Sequence, residues 1–309
     1  MKQAEAMQRD FAFLALAKDC ATTIPRFLAL IETLRRKGMS VAAFVGENGS
    51  QDGTRLLLQR AEARGEIILV PTPFMADEPE RLRRMALGRE RLKSELEASG
   101  VEARFVCVVD IDNVIAAPPS VAALLAAALK LEQPGIFGVS ATSRPHYYDL
   151  LAFEDEHRSF ETLLDDLAKS RVDIFEYYRF FRSRIYPHQR ALTDDREITC
   201  SSSFNGLCLY RADTYRLGSY LQAGSSICEH LVFNRSLAGL TGGTMLIDPG
   251  LVLRTPKDHS EQSFVPFAWR RLRKLVAWHL RQRDRRSKLL ASRSAAGGAR
   301  APENANGSS

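Results

Sequence analysis

Apolar and polar positions along this chain follow two alternating periods. Short apolar runs at Phe11–Ala17, Val41–Val45, Ile67–Val70, Phe105–Val109 and Gly135–Ala141 read as strands. Runs of this kind suit strands covered on both faces, as in parallel sheets. Between them the spacing changes to that of a helix. Phe27, Leu30, Ile31 and Leu34 form one stripe, opened by Thr22-Thr23-Ile24-Pro25 and stopped by Gly38. Arg55–Arg64, Glu78–Leu96 with its stripe of Leu82, Met85, Leu92 and Leu96, and the Ala/Leu-rich Val121–Leu131 supply the next helices. This alternation predicts an α/β fold whose central sheet is mostly parallel and flanked by helices, a doubly wound, Rossmann-like arrangement.

The second half is less regular. Residues 154–197 are dense in charge, with Phe160, Leu163, Leu164, Leu167, Phe175, Tyr178 and Phe181 at helical spacing, and read as an insertion over one face of the sheet. Cys200–Tyr210 reads as one strand with a polar entry, Glu229 as the start of a helix, and Met245–Pro249 and Leu251–Leu253 as two short strands. Phe264–Leu290 mixes Trp269, Leu272, Leu275, Val276 and Trp278 with arginines, which predicts a basic amphipathic helix. The chain thus divides into an α/β domain over 1–263, the basic helical segment 264–290 and a polar tail, 291–309, expected to be disordered.

Charge sharpens this division. The net charge is +6, yet residues 264–309 carry 11 Lys and Arg against 2 Asp and Glu, leaving 32 against 35 in residues 1–263. A near-neutral body is a poor nucleic-acid surface; an anionic membrane or a nucleic acid would have to use the C-terminal segment. Five cysteines without a Cys-x-x-Cys point to reduced thiols rather than a disulfide frame or zinc site. The N-terminus lacks the apolar core of a signal peptide, and no apolar run reaches the length of a membrane span. The expected location is cytoplasmic, with possible attachment to the inner face of the membrane through 264–290.

The chemistry gathers where the fourth apolar run ends. Val109-Asp110-Ile111-Asp112 puts two carboxylates at the carboxyl end of a strand, where ligands of open α/β sheets bind. Two hard oxygen donors there suit Mg or Mn, which takes phosphate oxygens among its other ligands; a strand-end turn or helix cap uses the same residues. Gly46-Glu47-Asn48-Gly49-Ser50-Gln51-Asp52-Gly53-Thr54 ends the second strand, with Glu47 placed to accept from a nucleoside and Asp52 or Thr54 to cap a helix. The arginines of 78–96, Arg84 and Arg89 among them, could meet phosphates or form a solvated face. Thr142–Asp149, polar and aromatic together, suits a polyhydroxylated ligand or a tyrosine-anchored loop. Glu229 could cap its helix or act as a base on an acceptor hydroxyl, and His259 could close over a diphosphate as a third metal ligand.

Taken together, Gly46–Thr54, Arg84–Arg91, Val109–Asp112, Arg144–Asp155, Ser203–Gly206 and Ile227–His230 resemble, in order and across about residues 11–260, nucleotide-sugar glycosyltransferases of the GT-A fold. In particular they resemble the cryptococcal-type capsular mannosyltransferases, glycosyltransferase family 69. The resemblance implies a GT-A-like domain, a nucleotide-sugar donor with GDP-mannose the first choice, Mn or Mg held by Asp110 and Asp112, and a glycan acceptor of capsule, lipopolysaccharide or another surface polymer, free or lipid-linked. It puts Glu47, Asp52, Arg84, Arg89 and Asp110 with the donor. Arg144, His146, Tyr148, Asn205 and His230 go with the acceptor, and Asp149 and Glu229 become the catalytic carboxylates. His230 stands where that family tends to have Cys. The family is associated with retention, whereas a Glu229 base suits inversion. Two other functions fit parts of the sequence: a nucleotidyltransferase, although Lys18-Asp19-Cys20-Ala21-Thr22 is no Gly-rich basic loop, and a non-enzymatic membrane- or nucleic-acid-binding module built on 264–290.

Overall fold

The structure, a computed structural model, describes residues 9–222, 227–256, 259–260, 262–274 and 276. Strands β1 (Arg9–Ala17), β2 (Val41–Glu47), β3 (Ile68–Pro71), β4 (Ala103–Asp110), β5 (Ile136–Arg144), β6 (Ile198–Cys200), β7 (Leu207–Arg211) and β8 (Thr244–Arg254) form one eight-stranded sheet in the order β3-β2-β1-β4-β7-β5-β8-β6. β3, β2, β1 and β4 run parallel, as do β5 and β8; β7 is antiparallel to both neighbours and β6 to β8. This is the mostly parallel α/β arrangement, flanked by helices, that the strand–helix alternation predicts.

Both faces of the sheet are covered. Phe11, Phe13 and Ala15 of β1 pack into one core with helices α1 (Ile24–Arg36), α2 (Thr54–Ala63) and α4 (Val121–Lys130). Ala12 and Leu14 point the other way, into a core shared with α3 (Arg81–Ala98), α8 (Ala212–Leu217) and α9 (Glu229–Thr241). Period-two side-chain alternation with both faces buried is why these strands show no polar positions in sequence. The register aligns Ala17 with Glu47 and Leu16 with Asp110, so the ends of β1, β2 and β4 open together at one edge.

The insertion is helical, as α5 (Phe160–Ser170), α6 (Ile174–Phe180), a π turn Phe181–Ile185 and α7 (Tyr186–Ala191). α5 buries only Phe160, and α6 buries nothing. Residues 264–274 form a helix that lays Phe264 on Phe175, with ring centres 4.9 Å apart, and Phe267 among Tyr177, Tyr178 and Phe181. The predicted continuation of that helix to Leu290, apart from Val276, and the tail 291–309 lie outside the described residues. No helix among the described residues is long and apolar enough to cross a membrane.

Two strand readings change. Cys200–Tyr210 is not one strand but β6 and β7 separated by the loop 201–206, whose conformation turns on Asn205 and Gly206 at φ 51° and 86°. Asn tolerates this left-handed region better than most residues, and Gly occupies it freely. Conversely, the two short strands after residue 244 are one, β8, with a bulge where Ala141 pairs with Asp248 and Thr142 with Val252.

The 201–206 loop is buried, and its polar groups are satisfied by residues distant in sequence. Ser203 Oγ lies 2.6 Å from Ser140 Oγ and 2.7 Å from Tyr147 Oη. Asn234 Nδ2 donates to Ser202 Oγ at 3.0 Å and Ser203 O at 3.2 Å, while its Oδ1 accepts from Tyr210 Oη at 2.9 Å. Asn205 Oδ1 accepts from Tyr148 N at 3.0 Å. Such a network is strong when complete and costly when one member is lost. Asn234→Leu keeps the branching and the number of side-chain heavy atoms while removing the bonds to the Tyr210 hydroxyl, the Ser202 hydroxyl and the Ser203 carbonyl. The expected loss of stability is about 2–4 kcal/mol, read from the urea midpoint at unchanged m; a shift below about 1 kcal/mol would show that the loop is held by other means.

His188 gives a second test. Burial, followed by repulsion from Arg158, pushes its imidazole down to about 4, and its ring packs edge-on against Phe153 at 5.2 Å. The folded chain therefore holds it neutral while the unfolded chain binds a proton near the ordinary value of 6.5. Its contribution is intact above that value and is lost as pH falls toward 4. His188→Phe retains the aromatic contact, so its stability advantage over the wild type should grow steadily on acidification across this window. A difference independent of pH would refute the buried neutral imidazole.

Candidate active site

Over the carboxyl ends of the strands lies a cavity of about 1070 Å³. Its floor comes from the end of β4, from Phe204, and from the start of α9; its walls come from the 148–151 loop, α5, the π turn and the 264–274 helix. Asp110, Asp112, Asp149 and Glu229 all line it.

Asp110 is the last residue of β4, and its N–H donates to Gly206 O at 2.9 Å, which ties it to the 201–206 loop. Its Oδ1 accepts from Arg89 Nη2 at 2.5 Å. Arg89 is only 1% exposed, on the inward face of α3, and its guanidinium sits 5.6 Å from the Phe204 ring centre. Burial pushes the Asp110 carboxyl up to about 7; Arg89 pulls it down, while Asp112 and Glu229 repel it. Asp112 is exposed and its Oδ1 accepts from Val114 N at 2.9 Å, capping the single 3-10 turn Asn113–Ala116. Both readings of the acidic pair thus have structural content, since one oxygen of each Asp is bound within the protein and the other has no hydrogen-bond partner among the described residues.

Asp149 and Glu229 add to the negative charge. Burial first, then repulsion from Asp110 and Glu229, pushes Asp149 up to about 7, with Arg81 opposing. Glu229 is 6% exposed at the first turn of α9 and is raised by burial against the pull of Arg89. Its Oε1 lies 3.6 Å from His230 Nε2. His230 is stacked on Phe204, 3.4 Å between ring centres and 11° between planes, and burial with Arg89 nearby holds it neutral, well below its ordinary value. Tyr148 brings its ring 5.3 Å from that of His259, and both line the cavity. A Cβ on Gly206 would lie 2.5 Å from Val114 Cγ1 and 2.6 Å from Tyr148 Oη, so only glycine lets these walls close.

A divalent cation fits this donor set by its chemistry: Asp110 and Asp112 each keep a carboxylate oxygen without a hydrogen-bond partner among the described residues, beside Asp149 and Glu229. The protein does not form a full cage by itself, because no group of three or more His, Cys, Asp or Glu among the described residues is arranged to hold a metal. Asp110, Asp112 and His259 share the cavity without converging into such a group. An ion bound by two carboxylates, water and substrate phosphate needs no such cage.

The other site residues expected from sequence stand elsewhere. Glu47 is buried at the end of β2; burial raises its carboxyl, but Ser50 N–H at 2.6 Å and Arg55 at 2.8 Å outweigh this and hold it below the ordinary value. Asp52 accepts from Thr54 N–H and hydroxyl and from Ala21 N, stapling its own loop. Arg84 donates to Glu78 O, and Arg144 pairs with Asp195 at 3.0 Å. Glu47, Asp52, Arg84, Arg89, Arg144, His146 and Asn205 are not among the cavity's lining residues. Arg89 and Asn205 reach the site from behind, by holding Asp110 and the 148–149 backbone. Arg81 and Phe204, which the sequence offered only as one of several helix arginines and as part of the Ser203–Gly206 stretch, line the cavity; so do Arg270, Arg271 and Lys274, expected on a membrane-facing helix, and Arg171, which sequence reasoning missed. Arg89, expected with the donor, falls on the stripe of Met85, Leu92 and Leu96, which is the signal that it faces inward.

No protein-family model matches this sequence and no curated protein matches it. Solved structures do. The chain is similar to a mannosyltransferase from Pyrobaculum calidifontis in complex with GDP-Man and Mn2+, at 16% identity and TM-score 0.47 over 81% of this chain; it spans 58% of that protein's chain. It is also similar to mannosyl-3-phosphoglycerate synthase from Rubrobacter xylanophilus, at 14% identity and TM-score 0.44 over 90% of this chain and 75% of that one. A third is glucosyl-3-phosphoglycerate synthase from Mycobacterium tuberculosis with Mn2+, UDP and glucosyl-3-phosphoglycerate, at 14% identity and TM-score 0.41 over 84% and 75%.

Proposed function

We propose that this protein is a metal-dependent glycosyltransferase that moves a sugar from a nucleotide donor to a hydroxyl of a glycan acceptor. The observation that carries this reading is the crowding of Asp110, Asp112, Asp149 and Glu229 at one cavity, with one oxygen of each member of the acidic pair left without a protein partner. Carboxylates gathered where burial disfavours their charge demand a counter-ion, and a cation–diphosphate supplies one. Asp110 and Asp112 would hold Mn or Mg, and the ion when bound supplies Lewis-acid neutralisation of the departing diphosphate.

This chain's own groups do the rest. Arg89 keeps Asp110 oriented by a short charge-assisted bond from within the core. Asp149 and Glu229, whose carboxyls burial shifts toward neutrality, are suited to taking the proton of the acceptor hydroxyl. Phe204 and His230, stacked and buried, support the floor of the cavity, and the Tyr148 ring beside His259 forms part of its lining. We take mannose from GDP-mannose as the donor and a capsular or lipopolysaccharide polymer as the acceptor, on the cytoplasmic side. Attachment to the membrane surface is supported by the outward face of the 264–274 helix, where Val265, Trp269 and Leu272 are 73%, 60% and 49% exposed.

Asp112→Asn retains an acceptor for Val114 N–H while removing the charge. Thermal unfolding with GDP or GDP-mannose should show stabilisation of the wild type that requires Mn and disappears in Asp112→Asn, with little change in the unliganded melting temperature. A UDP or CDP preference would change the donor; equal responses in wild type and variant would remove the acidic pair from the metal site. Asp149→Asn and Glu229→Gln then separate the proton acceptor from its neighbour. The true base should lose about 100-fold or more in kcat with donor affinity retained, and if neither does, the acceptor proton leaves by another route.

A further inference from the structure

The 264–274 helix buries Phe267 and stacks Phe264 on Phe175, yet its remaining apolar residues and its charges are placed the other way round from those of a helix folded only onto its own domain. Val265, Trp269 and Leu272 face outward, while Arg270, Arg271 and Lys274 line the cavity. A helix packed for stability alone buries its apolar stripe and sends its charges to water. Arg171, at the end of α5, completes the basic wall. The guanidinium carbons of Arg171 and Arg271 lie 5.7 and 5.0 Å from the ring centre of Tyr177, so one aromatic side chain supports both. Arg271 Nε is buried without a hydrogen-bond partner, and no carboxylate among the described residues forms an ion pair with Arg171, Arg271 or Lys274. The cations acting on Asp149 and Glu229 are Arg81 and Arg89, which belong to α3 instead.

Resting on the sugar-transfer reading above, we propose that this wall binds a phosphate group carried by the acceptor. Guanidinium groups pair with phosphate through two parallel hydrogen bonds, and a buried donor without a partner is costly unless a ligand supplies one. The neighbouring wall is apolar: Leu163 and Leu167 of α5 are half-buried at one helical turn's spacing and line the cavity. The acceptor would therefore carry its phosphate beside an apolar portion while its hydroxyl reaches the carboxylates. A lipid phosphate and a soluble sugar phosphate share that anion.

The test uses the full chain, at constant ionic strength, with two phosphate probes and a donor probe. Glycerol 3-phosphate and GDP with Mn are followed by thermal unfolding. Phosphatidylcholine vesicles with and without phosphatidic acid are followed by co-sedimentation. Variants are Arg171→Gln, Lys274→Gln and the double, all at exposed side chains. At least one phosphate probe should bind the wild type, and the double variant should weaken that binding by about tenfold or more while the GDP–Mn midpoint changes less than about twofold. Binding of acidic vesicles that Arg171→Gln alone weakens indicates a lipid-borne phosphate, because Arg171 ends α5 and is not on the helix that meets the membrane, and a glycerol 3-phosphate response indicates a soluble one; both support the site. Failure of both phosphate probes, equal binding by wild type and double variant, or parallel loss of GDP–Mn would overturn it, the last by giving the cations to the donor. A wild type that binds phosphate as expected but ignores every nucleotide would keep the anion site and reject sugar transfer.

Discussion

Four carboxylates around one cavity repel one another, and the chain tolerates them because a guanidinium lies underneath. Arg89 reaches Asp110 from α3, buried beside Phe204 and within electrostatic range of Glu229. A buried charge of this kind is expensive unless paired, and pairing one Asp leaves the cluster still short of positive charge. That remaining deficit fits a bound cation and a substrate diphosphate. It also explains why β4, the 201–206 loop and α9 are locked together by buried hydrogen bonds: mutually repelling groups stay at fixed positions only when their supports cannot relax.

The part of this legible in the sequence is the part with a local signature. β1, β2 and β4 are built around the apolar runs Phe11–Ala17, Val41–Val45 and Phe105–Val109, and an apolar run ending in Asp-Ile-Asp announces both a strand and what sits at its end. The 201–206 loop announces nothing of the kind. Ser203 meets Ser140 and Tyr147, and Asn205 meets Tyr148, across some sixty residues, and no spacing rule links such partners. The Gly46–Thr54 loop is ambiguous for another reason: Glu47 and Asp52 stand at a strand end where a ligand could use them, and within the protein they bond to Ser50, Arg55 and Thr54. Polar residues at a strand end serve a loop or a ligand with the same chemistry, and composition cannot separate the two. The basic, Trp-containing helix is likewise legible only in part, because a helical pattern says which residues share a face and not what that face meets.

The cavity joins two kinds of construction. Its floor is set by the central sheet and a loop held in left-handed backbone by Asn205 and Gly206, where a side chain on Gly206 would strike Val114 and Tyr148. Its far wall is carried by α5, α6 and the 264–274 helix, which contribute few residues to either main core.

That contrast bears on how such a protein could change. A wall that adds little to the two main cores can be exchanged, lengthened or recharged with modest damage to the rest of the fold, whereas the floor admits almost no substitution. Recognition of one reactant is therefore free to drift while the chemistry stays fixed. Chains sharing this floor should be able to diverge in what they bind far sooner than in how the floor is built, and grafting a different α5–α6 and 264–274 helix offers a direct route to changing what the cavity accepts.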